Sequence, residues 1–166
     1  MSFERVTQGI TGGTDATKLV HTRDFATTTF EAQLTDNEAV GRILEYGTGT
    51  TVAGELYYIR STAGWVVANA TATNSGDVQQ LAVALGTSPT ADGMLIDGWV
   101  RVDTLLVNGT AVIGAAVYMS TTAGEYTFTA PSASGNAVRI VGYCADIDSG
   151  DILLHFAPSP ESMTIA

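Results

Sequence analysis

The chain has 166 residues, of which 45% are hydrophobic and only 14% are charged, and its formal net charge is −10. A chain of this length buries a sizeable core within a single domain, and its many Thr and Val residues favour sheets over helices. The acidic excess argues against binding to nucleic-acid phosphates. Residues 61–166 contain two basic and nine acidic side chains, whereas residues 1–60 contain five and eight. The N-terminal end is therefore the better candidate for docking on an acidic surface, although the acidic residues can equally serve solubility alone.

Cys144 is the only cysteine, so no intrachain disulfide can form. It lies in the alternating apolar run RIVGYCADI, which predicts a small buried side chain rather than a nucleophile. The longest apolar stretch, VIGAAVYM at 112–119, is far shorter than the ~20 residues of a membrane-spanning helix. The opening residues also lack the apolar core of a signal peptide. We therefore expect a chain that neither spans a membrane nor crosses one by its own signal.

Residues 1–35 are predicted to form an extended N-terminal arm, because Gly-rich loop and Thr runs alternate there with widely spaced large apolar side chains. Such an arm is either disordered or becomes ordered against a partner or a neighbouring copy. The basic and large apolar residues of the arm are its candidate partner contacts. They are Phe3, Arg5, Ile10, Lys18, Leu19, Arg23, Phe25 and Phe30.

The next segment, DNEAVGRILEY at 36–46, is compatible with two structures. Asp36 is a suitable N-cap for a helix that would present four apolar side chains to a core, namely Ala39, Val40, Ile43 and Leu44. The register of an internal repeat instead places the segment opposite residues 97–106, and this favours a strand.

That repeat relates residues 50–70 to residues 110–130 at an offset of sixty. In each copy a short β-type run ends in TAG, a second run follows, and a Ser/Gly/Asn-rich loop leads to a third apolar run. We predict strand, tight turn, strand, loop and strand, with Gly64 and Gly124 at positive φ in the turns. The identical pairs are Thr50/Thr110, Val52/Val112, Gly54/Gly114, Tyr58/Tyr118, Thr62/Thr122, Ala63/Ala123, Gly64/Gly124 and Ala70/Ala130.

The remaining segments fit the same scheme. WVRVDTLLV is predicted to be a strand that closes on a hairpin at Asn108-Gly109. DILLHFAP is predicted to be the last strand, ended by Pro158. The fold prediction is all-β: a compact β-barrel or β-sandwich over 36–157, built from two related halves of about 60 residues, 36–96 and 97–157. Residues 158–166 are predicted to form a C-terminal tail.

Two segments superficially resemble ligand loops. DIDSGD at 146–151 departs from a calcium loop, because its Gly is in the fifth position and Ala157 stands where the twelfth-position Glu belongs. A polar turn between strands is the better interpretation. GTGTTVAG at 47–54 lacks the Lys-Ser/Thr pair of a phosphate loop.

Asn69 and Asn108 begin glycosylation-type triplets, which we interpret as turns. Trp65 and Trp99 are candidates for stacking on a sugar or a base, although a large aromatic side chain in a β-domain more often belongs to the core or an interface. No combination of acid, base and nucleophile is recognisable. We therefore predict no catalytic residue, no metal, no cofactor and no enzymatic activity.

The two copies nevertheless resemble a known family. The hairpin VYMSTTAG, the turn-and-strand APSASGNAVRIVGYC, the connection ALGTSPTADGML and the closing apolar strand resemble small β-domains in structural proteins of tailed-phage particles. These include capsid decoration proteins, head fibres and tail-fibre modules. The resemblance covers about residues 47–157, leaves the arm unmatched, and departs from some relatives at LLHFAPSPESMTIA.

The resemblance implies a structural role without catalysis. The leading hypothesis is a capsid decoration (cement) protein, made in the host cytoplasm, that binds the major capsid protein on the outside of the head, with a homo-oligomer, preferably a trimer, as its assembled form. The alternatives are a head- or tail-fibre module for host attachment and a carbohydrate-binding β-domain. The resemblance implies no nucleic-acid or membrane partner.

Overall fold

The computed structural model describes residues 34, 38–71 and 76–166, and this part of the chain is all-β, as the sequence predicts. It contains no α-helix, and a single 3-10 turn occupies Thr104–Leu106. The strands are β1 Ala39–Leu44, β2 Leu56–Ile59, β3 Trp65–Val67, β4 Leu81–Ala84, β5 Met94–Val102, β6 Val107–Asn108, β7 Ala116–Met119, β8 Tyr126–Thr127, β9 Ala137–Val138, β10 Ile140–Asp148, β11 Asp151–Phe156 and β12 Met163–Thr164. The preference for a strand within 36–46 is confirmed by β1.

One ten-stranded sheet contains most of these strands, and it curls into a half-barrel. The strand order is β3-β2-β4-β5-β11-β10-β7-β8-β6, and β1 pairs with β5 outside this path. The trio β3-β2-β4 and the trio β8-β7-β10 stand in mirrored order on either side of β5 and β11. Tyr58 pairs with Leu81 in the first trio, and its counterpart Tyr118 pairs with Ile140 in the second.

The curl brings the two hairpins of the repeat together at a seam that is held by backbone hydrogen bonds. The Leu56 N–H donates to the Gly124 carbonyl over 2.9 Å, and the Gly124 N–H donates to the Ala68 carbonyl over 2.8 Å. The Ala70 N–H donates to the Ser120 carbonyl over 2.7 Å. Backbone N–H and carbonyl groups of each half therefore find their hydrogen-bond partners in the other half.

The two faces of the sheet are identified by the alternation along β11. Ile152, Leu154 and Phe156 point into the main core, which is the inner face of the curl. Leu153 belongs to a separate small cluster on the outer face. The main core consists of buried side chains from both halves, so the halves share one interior.

The two TAG turns differ although their sequences match. Gly124 has φ 79°, as predicted, but Gly64 does not have positive φ, and Ala63 adopts φ 60° instead. The first turn closes from the Arg60 N–H to the Gly64 carbonyl, whereas the second closes one residue later, from the Ser120 N–H to the Glu125 carbonyl. The prediction for Gly64 is therefore wrong, because the tighter first turn moves the left-handed residue one position earlier.

The predicted hairpin at Asn108-Gly109 is also absent, although Gly109 has φ 86°. The carboxylate of Asp103 accepts a hydrogen bond from the Leu105 N–H over 2.7 Å and caps the 3-10 turn. This turn ends β5, and the chain re-enters the sheet as β6, which pairs in parallel with β8. Asn108 thus lies beside β8 rather than at the tip of a hairpin.

A two-stranded ribbon lies outside the main sheet. Here β12 pairs with β9, and the Ile165 N–H and carbonyl bond to Asn136 and Gly135. The prediction that DILLHFAP is the last strand is therefore wrong, because backbone groups at 135–138 offer a further pairing edge.

Arg139 is a buried anchor between the two halves. Its guanidinium donates to the carbonyl groups of Gln79, over 2.7 Å, and of Gly76, and its Nε donates to the Ser159 carbonyl over 2.8 Å. Burial lowers the pKa of Arg139, while the charge of Asp77 acts in the opposite direction. The side chain thus ties the 76–79 loop and the segment after β11 to β9 and β10.

Candidate functional site: an aromatic row on the outer face

The outer face of the sheet carries an apolar cluster at the point where the described chain begins. Leu34 is buried there against Val40 on β1 and Leu153 on β11. Trp99 and Ala145 pack against the same cluster and are themselves only partly buried. Leu34, Val40 and Leu153 therefore bury one another in a cluster that is separate from the main core.

Three aromatic side chains continue across the strands beside this cluster. Trp99 on β5 pairs in register with His155 on β11, and His155 pairs with Tyr143 on β10. The Trp99 and His155 rings are stacked, with centroids 4.4 Å apart and an interplanar angle of 24°. Tyr143 is 48% exposed. We call Trp99, His155 and Tyr143 the aromatic row.

Irregular pairing brings Tyr143 to the outer face. The register of β10 shifts against β7 between Ile140 and Gly142. A Cβ atom on Gly142 would lie 2.0 Å from the His155 carbonyl oxygen, so only glycine permits this close approach of β10 to β11. The shift places Cys144 in the main core and leaves Tyr143 accessible.

An ion pair borders the row two residues further along the strands. The Arg101 guanidinium lies 3.7 Å from the Asp146 carboxylate, and both residues pair with Leu153, which stands between them on β11. Asp148 and Asp151 follow at the β10–β11 turn. The outer face is therefore acidic at the β10–β11 turn, beyond the Arg101–Asp146 ion pair.

Exposed aliphatic side chains lie in the loop that joins β6 to β7. Val112 and Ile113 are more than half exposed. The next residue, Gly114, donates its N–H to the Cys144 carbonyl over 2.7 Å, so this loop runs beside the strand that carries Tyr143. Val112 and Ile113 are therefore exposed apolar side chains in a loop next to β10.

The two tryptophans have different environments. Trp65 is 4% exposed and donates its indole N–H to the Tyr46 carbonyl over 2.7 Å, so it is a core residue and no platform for a ligand. Trp99 keeps an accessible part on the outer face.

The interpretation of the two Asn triplets as turns suits Asn69, whose amide oxygen accepts bonds from both the N–H and the hydroxyl of Thr71.

The segment at 146–151 is a tight hairpin in which Ser149 and Gly150 both have positive φ. Among the residues that the structure describes, no group of three or more His, Cys, Asp or Glu side chains is arranged to hold a metal ion.

Burial raises the pKa of the Cys144 thiol, which agrees with the prediction of an inert buried side chain. Within the same described ranges, no helix is long and apolar enough to cross a membrane.

The predicted partner contacts lie outside the described residues, so the structure does not position them. They are Phe3, Arg5, Ile10, Lys18, Leu19, Arg23, Phe25 and Phe30. The aromatic row itself was not foreseen as a unit. The sequence indicates Trp99 only as a large aromatic side chain, because its pairing with His155 and Tyr143 depends on strand registers that sequence patterns do not reveal.

No protein-family model, no curated protein and no solved structure significantly matches this chain.

Proposed function

We propose that the chain is a structural protein of a tailed-phage particle, and specifically a decoration protein that binds the outside of the head and stabilises the shell. The observation that best supports this proposal is the aromatic row beside Leu34. The row offers partly accessible aromatic side chains on the outer face of the sheet, next to the buried Leu34. Such a face suits docking rather than chemistry.

The mechanism would be mechanical. Specific protein interfaces bury on the order of 1,200–2,000 Å² in total. Because the same interface would be repeated at each boundary between capsomers, the total buried area, and with it the stabilisation of the shell, would be large. A component that binds only the assembled shell shifts the equilibrium away from rupture. The partner would be the major capsid protein, and a homo-trimer is the form that we propose for the assembled protein.

The test is occupancy of the shell. Purified full-length protein is mixed with expanded empty heads of the phage that encodes it, and the particles are imaged by electron cryomicroscopy. Added density at regular positions between capsomers, with hundreds of copies per particle by quantitative mass spectrometry, supports the proposal. Heads that remain bare at saturating protein contradict it. A far smaller copy number located on the tail favours the fibre alternative.

A carbohydrate-binding β-domain remains a second candidate because Trp99 and Tyr143 offer partly accessible rings. Trp65 no longer contributes to this candidate, since its indole is buried and hydrogen-bonded. Binding on a glycan array that disappears in Trp99→Ala and persists in Trp65→Phe would favour it over the decoration role.

A further inference from the structure

We propose that Asn108 is a site of spontaneous deamidation, and that the carboxylate formed there loosens strand β6 from β8. Asn108-Gly109 is the only Asn-Gly pair in the sequence. Both residues are exposed, and Gly109 has φ 86°. The inference concerns the chemistry of the chain itself and does not rest on the proposed function.

The reaction needs only the backbone and water. The Gly109 nitrogen bonds to Cγ of Asn108, the bond from Cγ to Nδ2 breaks, and Nδ2 leaves as ammonia with the proton of the Gly109 N–H. Water then opens the cyclic imide at either of its carbonyl carbons, which gives aspartate or isoaspartate. Glycine favours ring closure because no side chain hinders the approach of its nitrogen. A Cβ atom at Gly109 would meet nothing closer than the Thr129 hydroxyl at 3.7 Å, so the ring also has room.

The amide that is lost in this reaction holds the end of the sheet. Asn108 Nδ2 donates to the carboxylate of Glu125, to the Ser120 hydroxyl over 3.3 Å and to the Tyr126 carbonyl over 3.4 Å. The Asn108 carbonyl also accepts a hydrogen bond from the Phe128 N–H over 3.1 Å. Strand β6 has only two residues and stands last in the strand order, so these few bonds are what attach it to β8.

Deamidation turns the contact with Glu125 from attraction into repulsion. The new carboxylate has no proton to donate, and it faces the Glu125 carboxylate, which is partly buried. Like charges directly opposite each other on neighbouring strands are destabilising, and a hydrogen bond to a charged group is worth more than a neutral one. Isoaspartate also adds a carbon atom to the main chain of β6. We expect hydrogen exchange at the Phe128 amide to accelerate about tenfold or more.

Ageing of the purified full-length protein tests the reaction. The native protein is kept in mildly alkaline buffer, and its peptides are mapped by mass spectrometry with separation of aspartate from isoaspartate. Asn69 and Asn136 are internal controls, because alanine follows each of them. We expect deamidation at Asn108 to be at least several-fold faster than at either control. A rate at Asn108 no higher than at Asn136 would overturn the inference.

Exchange of charge between two side chains tests the consequence. Asn108→Asp imitates one product and should accelerate exchange at Phe128, measured by NMR. Asn108→Asp combined with Glu125→Gln again places an amide opposite a carboxylate, so it should return the exchange rate towards that of the wild type. Glu125→Gln alone keeps an acceptor for Asn108 and is the matched control, with little change expected.

If Asn108→Asp alone fails to fold, recovery of the folded protein in the combined variant supports the same conclusion. Exchange at Phe128 that is unchanged in Asn108→Asp would contradict the loosening of β6. An effect of Asn108→Asp that Glu125→Gln does not reverse would show that repulsion by Glu125 is not its cause, and would equally overturn the inference.

Discussion

The hydroxyl of Tyr126 donates a hydrogen bond to the carbonyl oxygen of Gly54 over 2.8 Å, although the two residues are 72 positions apart. Tyr126 is fully buried, and it lies at the seam where the hairpin of the second half meets the beginning of β2. A buried carbonyl that loses its donor is costly, so this bond joins the two halves in a way that apolar contacts alone do not.

Removing that hydroxyl should weaken the seam. Tyr126→Phe keeps the ring but leaves the Gly54 carbonyl without its donor, and we expect the free energy of unfolding to fall by about 1–3 kcal/mol. Urea denaturation followed by fluorescence measures the change. Tyr118→Phe, in a partly buried ring on the neighbouring strand, is the matched control and should shift stability by less than about 0.5 kcal/mol. Equal effects in both variants would contradict this account of the seam.

The two TAG turns should respond oppositely to the same change. Gly124→Ala places a methyl group at φ 79° and 2.9 Å from the Glu55 side chain, so we expect a loss of about 1–2 kcal/mol. Gly64→Ala meets nothing closer than 3.6 Å and should be neutral or stabilise by up to about 1 kcal/mol. Thermal denaturation of both variants measures the difference.

Ala63→Gly provides the complementary test of the first turn. Ala63 holds φ 60°, and relief of that conformation should raise stability by up to about 1 kcal/mol, partly offset by the greater freedom of glycine in the unfolded chain. A large destabilisation by Ala63→Gly together with one by Gly64→Ala would mean that the first turn has the same geometry as the second.

Arg139 should be far more important for stability than the exposed arginines. Arg139→Met leaves the carbonyl groups of Gly76, Gln79 and Ser159 without their donor, so we expect a loss of about 2–4 kcal/mol. Hydrogen exchange should also accelerate in the 76–81 segment. Arg60→Met alters an exposed side chain and should change stability by less than about 0.5 kcal/mol. Similar losses in both would indicate a general charge effect.

The protein should lose stability in alkali because of its buried tyrosines. Burial raises the pKa of Tyr57 from 10.0 to about 12, and the neighbouring Glu55 carboxylate adds to the increase. Burial also raises the pKa of Tyr126. Above pH 10 the unfolded chain releases these protons first, so the folded state is disfavoured progressively until the folded-state pKa is reached.

Urea unfolding between pH 8 and pH 11.5 measures this loss. Above pH 10 the free energy of unfolding of Tyr57→Phe should fall less steeply than that of the wild type, because one of the two buried tyrosines no longer titrates. Tyr46→Phe, which removes an exposed hydroxyl, should keep the wild-type slope. A Tyr57→Phe slope equal to that of the wild type would contradict the linkage.

Local patterns predicted those features that depend on a few neighbouring residues. Alternating and continuous apolar runs predicted β2, β4, β10 and β11, and the internal repeat correctly favoured β1 as a strand. The burial of Cys144 followed from its position in an apolar run. These features depend on side-chain period and composition, which the sequence displays directly.

The predictions from sequence fail where two backbone conformations have similar energies and contacts between residues distant in the sequence decide which one forms. TAG occurs in both turns, yet the turns close one residue apart. Asn108-Gly109 is a strong hairpin signal, but the cap supplied by Asp103 ends β5 before the hairpin can form. The aromatic row depends on β5, β11 and β10 lying side by side and on a shift at Gly142. No single segment contains that information.

The seam also has a consequence for how fast the molecule acquires its native state. Its bonds join residues far apart along the chain, such as Leu56 with Gly124 and Ala137 with Ala70. Loops of this length must close before these contacts contribute, and chains dominated by such contacts cross their folding barrier in milliseconds to seconds rather than microseconds. Contacts within each hairpin are local in sequence and need no such closure, so the seam is the part of the fold that limits the rate.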